Sequence, residues 1–292
     1  MSLKGVYTAL ITPFNEDRSI DYGAMKNLIE FQIKEKINGL LPMGTTGESP
    51  TIKHEDHIKI IEMVIKQVAG RIPVIAGSGS NNTQEAIKMT KLIKELGADY
   101  SLQVVPYYNK PNQEGLYRHF MSIADSVDIP QIIYNIPGRT GKNVENSTMF
   151  KLAKHANVVA VKEASGNIGQ IMDIIAEKLD NFEILAGDDN LTFPVIALGG
   201  TGIFSVASNL IPGKMVELTE AALRGDMEKA KELHYKLLPF FKAEFIDTNP
   251  IPIKYMMSLK NMVKEVYRLP LCELNDNDKK QVKSVLEKMG II

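Results

Sequence analysis

Lys162 follows four apolar residues, Val158, Val159, Ala160 and Val161, in a run without helical spacing. At that place in a buried strand a lysine points its amine into an apolar mouth, where loss of water disfavours the ammonium and lowers its pKa. An ordinary lysine, with a pKa of about 10.4, is neutral in less than about one molecule in a thousand at pH 7, and a fall to near 7 or 8 raises that fraction by a factor on the order of 10² to 10³. Such an amine adds to carbonyls and forms an iminium, an electron sink of the kind a metal ion otherwise supplies. The other reading, a lysine paired with Glu163 or with an aspartate at the rim, stays open at this point.

Other polar residues stand in comparable places. Two successive backbone N–H groups in Gly44-Thr45-Thr46-Gly47 can form a small anion cradle, and the hydroxyls of Thr45 and Thr46 add donors suited to the carboxylate of a 2-oxo acid. Tyr134 can pass a proton without carrying a lasting charge, and Arg139, in a glycine-flanked loop, presents a planar fork for a second carboxylate. Each has a plainer reading: the threonines close a turn, the tyrosine is core, and the arginine is a surface charge. Their joint presence at four strand ends is the stronger signal.

The elements that must position them recur along the chain. Short β-rich apolar runs at 6–12, 39–43, 72–77, 100–105, 131–135, 158–162, 183–186 and 202–206 alternate with stretches of helical spacing, opened by caps such as Asp21, Asn82 and Asn167. Runs such as VVAV and QIIYNI are apolar at consecutive positions, which predicts parallel strands covered on both faces. Eight strand–helix units predict a (β/α)8 TIM barrel, with a doubly wound open sheet as the alternative. Three further helical segments, 226–241, 252–263 and 276–289, read as a C-terminal helical extension. The expected domains are a catalytic barrel at 1–224 and an extension packed on it at 225–292.

Composition narrows the function. The chain has 292 residues, 44% apolar and 24% charged, enough for a large core. Lys plus Arg minus Asp plus Glu is 34 − 35 = −1, which leaves no field for nucleic acid and suits a small partner. Cys272, the single cysteine, cannot form an internal disulfide and is expected to be a buried small hydrophobe. The opening MSLKGVYTALITPFNED does not read as a signal peptide, no run reaches the roughly 18 to 20 apolar residues of a membrane span, and a cytoplasmic location is expected.

The familiar cofactor motifs fail. Gly77 and Gly79 are followed by Asn82 where a dinucleotide loop needs its third glycine. Lys142 and Lys214 lack the first glycine and the following Ser or Thr of a P-loop. His54 and His57 stand three apart rather than the four of zinc peptidases, with no evident third ligand. Asp188 and Asp189 close the seventh strand and are expected to cap the next helix. Chemistry without a metal or cofactor is therefore expected.

The motifs ALITPF at Ala9, GTTGES at Gly44, VVPYYNKP at Val104, YNIPGRTG at Tyr134, VVAVKEASGN at Val158, LAGDD at Leu185 and NPIPIK at Asn249 resemble the pyruvate-dependent class I aldolases of the dihydrodipicolinate synthase and N-acetylneuraminate lyase group. The resemblance spans essentially the whole chain. Within the group, GTTGE with PGRTG resembles the members that condense pyruvate with L-aspartate 4-semialdehyde at the start of lysine and diaminopimelate synthesis. It implies a covalent imine between Lys162 and pyruvate, with Tyr134 as proton donor and acceptor and Thr46 and Tyr108 completing its relay. By the same resemblance Tyr108 enters a neighbouring subunit's site, Thr45 and Thr46 hold the pyruvate carboxylate, and Arg139 binds that of the semialdehyde. Gly187 and Phe204 would line the pocket, Phe204 where the family usually carries an aliphatic residue.

The assembly the resemblance implies is a homotetramer, a dimer of dimers. Feedback inhibition by L-lysine is implied at Ser49, Pro50, His54, His57, Asn81, Glu85 and Tyr107, six of which have the residue types of inhibited members, Pro50 replacing a small residue. In that site Glu85 would pair with an amino group of lysine and Asn81 with its carboxylate. An N-acetylneuraminate lyase, a 2-keto-3-deoxy sugar acid aldolase and a barrel that binds a small acid without turnover are the competing readings.

Overall fold

The structure, a computed structural model, describes residues 3–177 and 179–292. Among these residues lie eight strands, each followed by helix. The first half runs β1 Gly5–Ala9, α1 Tyr22–Lys34, β2 Gly39–Leu41, α2 His54–Val68, β3 Ile75–Gly77, α3 Thr83–Glu95, β4 Tyr100–Val104 and α4 Gln113–Ser126. The second runs β5 Gln131–Asn135, α5 Pro137–Thr140, α6 Asn146–Leu152, β6 Val158–Glu163, α7 Ile168–Ala176, β7 Glu183–Ala186, α8 Thr192–Ala197, β8 Gly202–Ser205 and α9 Pro212–Leu223.

The strands pair in parallel in the order β2-β1-β8-β7-β6-β5-β4-β3. The seam between β2 and β3 is closed where the Leu40 N–H donates to Pro73 O at 3.0 Å and Leu40 bridges to Val74. A closed parallel ring with helices outside is the (β/α)8 barrel, and the open-sheet alternative falls away.

The consecutive apolar runs are explained by two cores. Ile132, Tyr134, Ala160, Leu185 and Phe204 face the barrel interior, while Ile133, Val161, Ala186 and Ile203 face the helices. On β6 this alternation sends Lys162 inward and Glu163 outward, because successive strand side chains point to opposite faces. The three expected caps are present: Asp21 accepts from the Ala24 N–H at 2.8 Å, Asn82 from the Gln84 N–H at 3.0 Å and Asn167 from the Gln170 N–H at 3.1 Å.

Three more helices follow the barrel: α10 Met227–Ala243, α11 Ile251–Leu259 and α12 Asp276–Lys288. α10 packs on α8, α9 and the 189–191 turn, and α12 on α10 and α11. The second of them ends at Leu259 instead of reaching 263, since Asn261 turns to a φ of 55°. Cys272 corrects an expectation: it is exposed, in the irregular stretch before α12, and not part of the core. No helix among the described residues is long and apolar enough to cross a membrane.

Candidate active site

Tyr134 on β5 and Lys162 on β6 are directly paired in register, which places the two inward side chains next to each other. The Lys162 Nζ lies 4.2 Å from the centre of the Tyr134 ring and 5.5 Å from that of Phe204, and the residue is only 5% exposed. No carboxylate among the described residues comes within 4.0 Å of the amine. Glu163, its possible partner by sequence, faces the helices, where Asn135 Nδ2 at 3.0 Å, Gln170 Nε2 at 3.1 Å and the Ser165 N–H at 2.7 Å donate to it.

The electrostatics follow from this placement. Burial pushes Lys162 down to about 8; the carboxylates of Asp188 and Asp189 oppose the shift and the Arg139 guanidinium adds to it. At pH 7 roughly one molecule in ten then holds a neutral amine, some hundreds of times the ordinary fraction. Burial pushes the Tyr134 phenol up to about 12, opposed by a hydrogen bond with Thr45 and by Arg139. The phenol therefore keeps its proton and can lend it to a neighbouring reaction. Burial likewise pushes Asp188 up to about 6, with Lys162 opposing.

Two neighbouring threonines take different places. Thr45 lines the cavity together with Tyr134, whereas Thr46 is buried, its hydroxyl accepting from Asn249 Nδ2 at 3.0 Å. The Thr46 hydroxyl is thus held from the C-terminal side of the chain, while Thr45 shares the cavity wall with Tyr134. That turn closes with the N–H groups of Gly47 and Glu48 on Gly44 O and Thr45 O, at 3.1 and 3.0 Å. Met43 and Glu48, on either side of it, have φ of 59° and 55°, local strain of the sort that gathers at functional sites.

Arg139 lies in α5, lines the cavity, and donates from Nη2 to Asn249 O at 3.0 Å. Gly187 is buried where β7 leaves the barrel, and an added Cβ would stand 2.6 Å from Ala164 Cβ. Phe204 is fully buried with its ring 5.3 Å from that of Tyr7. Phe204 packs in the barrel interior beside the lysine, and Gly187, Phe204 and Lys162 itself all lie behind the residues that wall the cavity. Tyr108, at a φ of 71°, is 91% exposed and stands away from Tyr134 within the chain, while Tyr107 lines the cavity.

The cavity measures about 270 Å³ and reaches from Thr45, Tyr134 and Arg139 to Ser49, Pro50, His57 and Tyr107. Of the seven residues expected to form a lysine site, Ser49, Pro50, His57 and Tyr107 line this second end, while Asn81 contacts Tyr107 and His54 contacts Glu85. His54 Nε2 lies 3.0 Å from Glu85 Oε1, and the Ser80 hydroxyl also donates to Glu85. Asn81 Nδ2 donates to Tyr107 O at 3.2 Å. His57 Nε2 donates to Gly77 O at 2.7 Å, since a carbonyl only accepts, and burial pushes its pKa down. In this state Glu85 and Asn81 hold protein groups.

Several contributors escaped the sequence reading. Asn249, just before α11, bridges Thr46 and Arg139 although it lies more than a hundred residues from each; the NPIPIK motif was the only signal. Glu48 and Lys254 form a fully buried ion pair at 2.6 Å beside the GTTG turn. Asp188 and Asp189 are not helix caps: Asp188 makes no capping bond, and Asp189 accepts from the Ser205 hydroxyl and the Val206 and Ala207 N–H groups at the exit of β8.

A (β/α)8 barrel whose strand ends hold a buried, unpaired lysine beside a protonated tyrosine has the site of a class I aldolase. Residues 2–289 match the Dihydrodipicolinate synthetase family, and the chain belongs to that family. It is 48% identical over 291 residues to a 4-hydroxy-tetrahydrodipicolinate synthase of Hydrogenobaculum sp. strain Y04AAS1, covering 99% of this chain and 100% of the relative.

Two solved structures extend the likeness. The chloride-inhibited dihydrodipicolinate synthase of Acinetobacter baumannii, complexed with pyruvate, superposes with a TM-score of 0.98 at 37% identity over 100% of both chains. The enzyme of Cyanidioschyzon merolae with lysine bound gives 0.96 at 39% identity over 99% of each. The chain is accordingly an enzyme, a lyase of the class I aldolase kind.

Proposed function

We propose that the protein condenses pyruvate with L-aspartate 4-semialdehyde to 4-hydroxy-tetrahydrodipicolinate, in lysine and diaminopimelate synthesis. The observation that carries this is Lys162, buried without a carboxylate partner and set against Tyr134. Its neutral amine attacks the keto carbon of pyruvate, and loss of water leaves a protonated imine. Loss of a methyl proton gives an enamine, which adds to the aldehyde carbon of the semialdehyde. The amino group of that substrate then displaces the lysine, closing the ring and freeing Lys162.

Tyr134 moves protons through these steps, with Thr46 completing its relay and Tyr108 reaching in from a neighbouring subunit. The Thr45 and Thr46 turn holds the pyruvate carboxylate, and Arg139 takes the second one. No cofactor takes part in this reading.

A homotetramer built as a dimer of dimers belongs to the same reading, and the exposure of Tyr108 leaves it free to enter a neighbouring subunit's site. The shared cavity and the His54–Glu85 contact support L-lysine as an inhibitor bound among Ser49, Pro50, His54, His57, Asn81, Glu85 and Tyr107. Lysine binding would then exchange the His54 contact of Glu85 for one to the ligand's amino group. A barrel at 1–224 and an extension at 225–292 that supplies Asn249 fit the same reading, as does a cytoplasmic location.

Borohydride added with pyruvate should leave a mass increase that peptide mapping places on Lys162; an unmodified Lys162 refutes the mechanism. Turnover of aspartate semialdehyde without cleavage of sialic acid separates this reading from a sugar-acid lyase. Loss of activity in millimolar L-lysine tests the regulation, and full activity there removes it.

A further inference from the structure

Glu244 directly follows α10, and its side chain is fully buried. Neither of its carboxyl oxygens receives a hydrogen bond from an N–H, a hydroxyl or a cation. The acidic group that acts most strongly on it is Asp189, also fully buried, on the turn where α10 packs against the barrel. Asp189 already accepts three bonds, from the Ser205 hydroxyl at 2.5 Å and from the N–H groups of Val206 and Ala207 at 2.8 and 3.1 Å.

Two neighbouring carboxyl groups in a dry interior are not both ionised when only one of them has donors. The three donors hold the charge on Asp189, so the proton belongs to Glu244. The charges that act on Glu244 come from Asp189 and Asp188, both acidic, and these in turn act on Lys162. Burial and the same two neighbours push Glu244 well above its ordinary value.

We propose that Glu244 is a positioning residue for the Lys162 site, staying un-ionised and donating its carboxyl proton to Asp189. It thereby steadies the aspartate that holds the exit of β8, the strand whose Phe204 packs beside the lysine, and it adds no third negative charge to those of Asp188 and Asp189. An ionised Glu244 would favour the ammonium form of Lys162 and lower its nucleophilic fraction. The kinetic part of this inference rests on Lys162 forming the imine; the protonation state of Glu244 does not.

The test compares full-length wild type with E244Q, E244M and D188N by two measurements. The first is the infrared difference spectrum of wild type minus E244Q at neutral pH without pyruvate, where an un-ionised carboxyl C=O stretch is expected. A carboxylate signal alone overturns the proposal. The second is the pH midpoint of imine trapping with pyruvate and borohydride.

E244Q, a neutral donor of the same shape, should leave that midpoint in place, whereas D188N, which removes a charge, should lower it by roughly half a unit or more. E244M, without a donor, should slow trapping several-fold, with E244Q close to wild type. A midpoint lowered in E244Q as in D188N, or equal slowing in E244Q and E244M, overturns the proposal. Should E244M fail to fold, the spectrum and the E244Q midpoint still decide. Should no variant, wild type included, trap pyruvate, the imine reading fails and the spectrum alone judges Glu244.

Discussion

Lys162 at the strand ends and Lys254 on α11 share much of what is held to make a lysine reactive. Each is buried, and the amines lie over aromatic rings at nearly equal distances, 4.2 Å from the centre of Tyr134 and 4.3 Å from that of Phe14. They differ in their partners. Lys254 Nζ donates to Glu48 Oε1 at 2.6 Å and to Val266 O at 2.7 Å, whereas Lys162 has no carboxylate within ion-pair range. Burial pushes both amines down, but the Glu48 carboxylate pulls Lys254 back directly, while Asp188 and Asp189 act on Lys162 without an ion-pair contact.

Burial alone therefore does not make a nucleophile. The pair at Lys254 belongs to the scaffold, tying α11 to the turn that carries Thr45 and Thr46. Arg268 joins it, donating its N–H to Glu48 Oε2 at 3.4 Å with its guanidinium 4.5 Å from the centre of the Phe14 ring.

The sharpest way to break this contrast is to remove each lysine. K162M should abolish pyruvate trapping and lower condensation by about 10⁴-fold or more, read from steady-state rates. It should also raise stability at neutral pH. A folded pKa near 8 against 10.5 unfolded means that the unfolded chain binds more protons between those values, so wild-type stability rises with pH across that window. Below pH 8 the buried amine costs at most about 3 kcal/mol, which the variant recovers and which fades as the pH approaches 10.5; urea midpoints at several pH values check it.

K254M should do the opposite. It strands the Glu48 carboxylate in the interior and should lose about 3 to 5 kcal/mol of stability in urea, while the E48L/K254M double variant loses less than the two single variants together.

Smaller effects sharpen the comparison. Y134F makes the ring under Lys162 resemble the Phe14 ring under Lys254, keeping the aromatic face and removing the proton. Condensation should fall by roughly 10² to 10³-fold while pyruvate can still be trapped on Lys162. In the wild type, the rate of trapping should climb by up to about tenfold as the pH rises from 7 through 8 and level off above, in line with a pKa near 8. A trapping rate independent of pH across that range would mean that Lys162 is not the titrating group.

Much of the scaffold could be read one residue at a time. Lys162 was legible because an inward lysine breaks an apolar strand, and Tyr134 because the same strand-end rule applies to β5. The caps Asp21, Asn82 and Asn167 were legible because a cap bonds within its own first turn. The bond between Thr46 and Asn249 was not legible, because the direction of a side chain in a tight turn depends on dihedral angles that residue type does not reveal. Cys272 was placed in the core from its residue type alone, whereas the chain leaves it in an exposed connection.

Hydrophobic spacing and strand-end chemistry, both local properties, determined the barrel, its inward lysine and the class of reaction. Tertiary structure alone decided that Glu48 meets Lys254, that Asn249 meets Thr46 and Arg139, and that Glu244 is buried without a donor. Those partners are distant in sequence, and a charged or polar residue looks the same in the chain whether its partner arrives or not; only the folded geometry settles which buried groups are paired and which amine is left free to react.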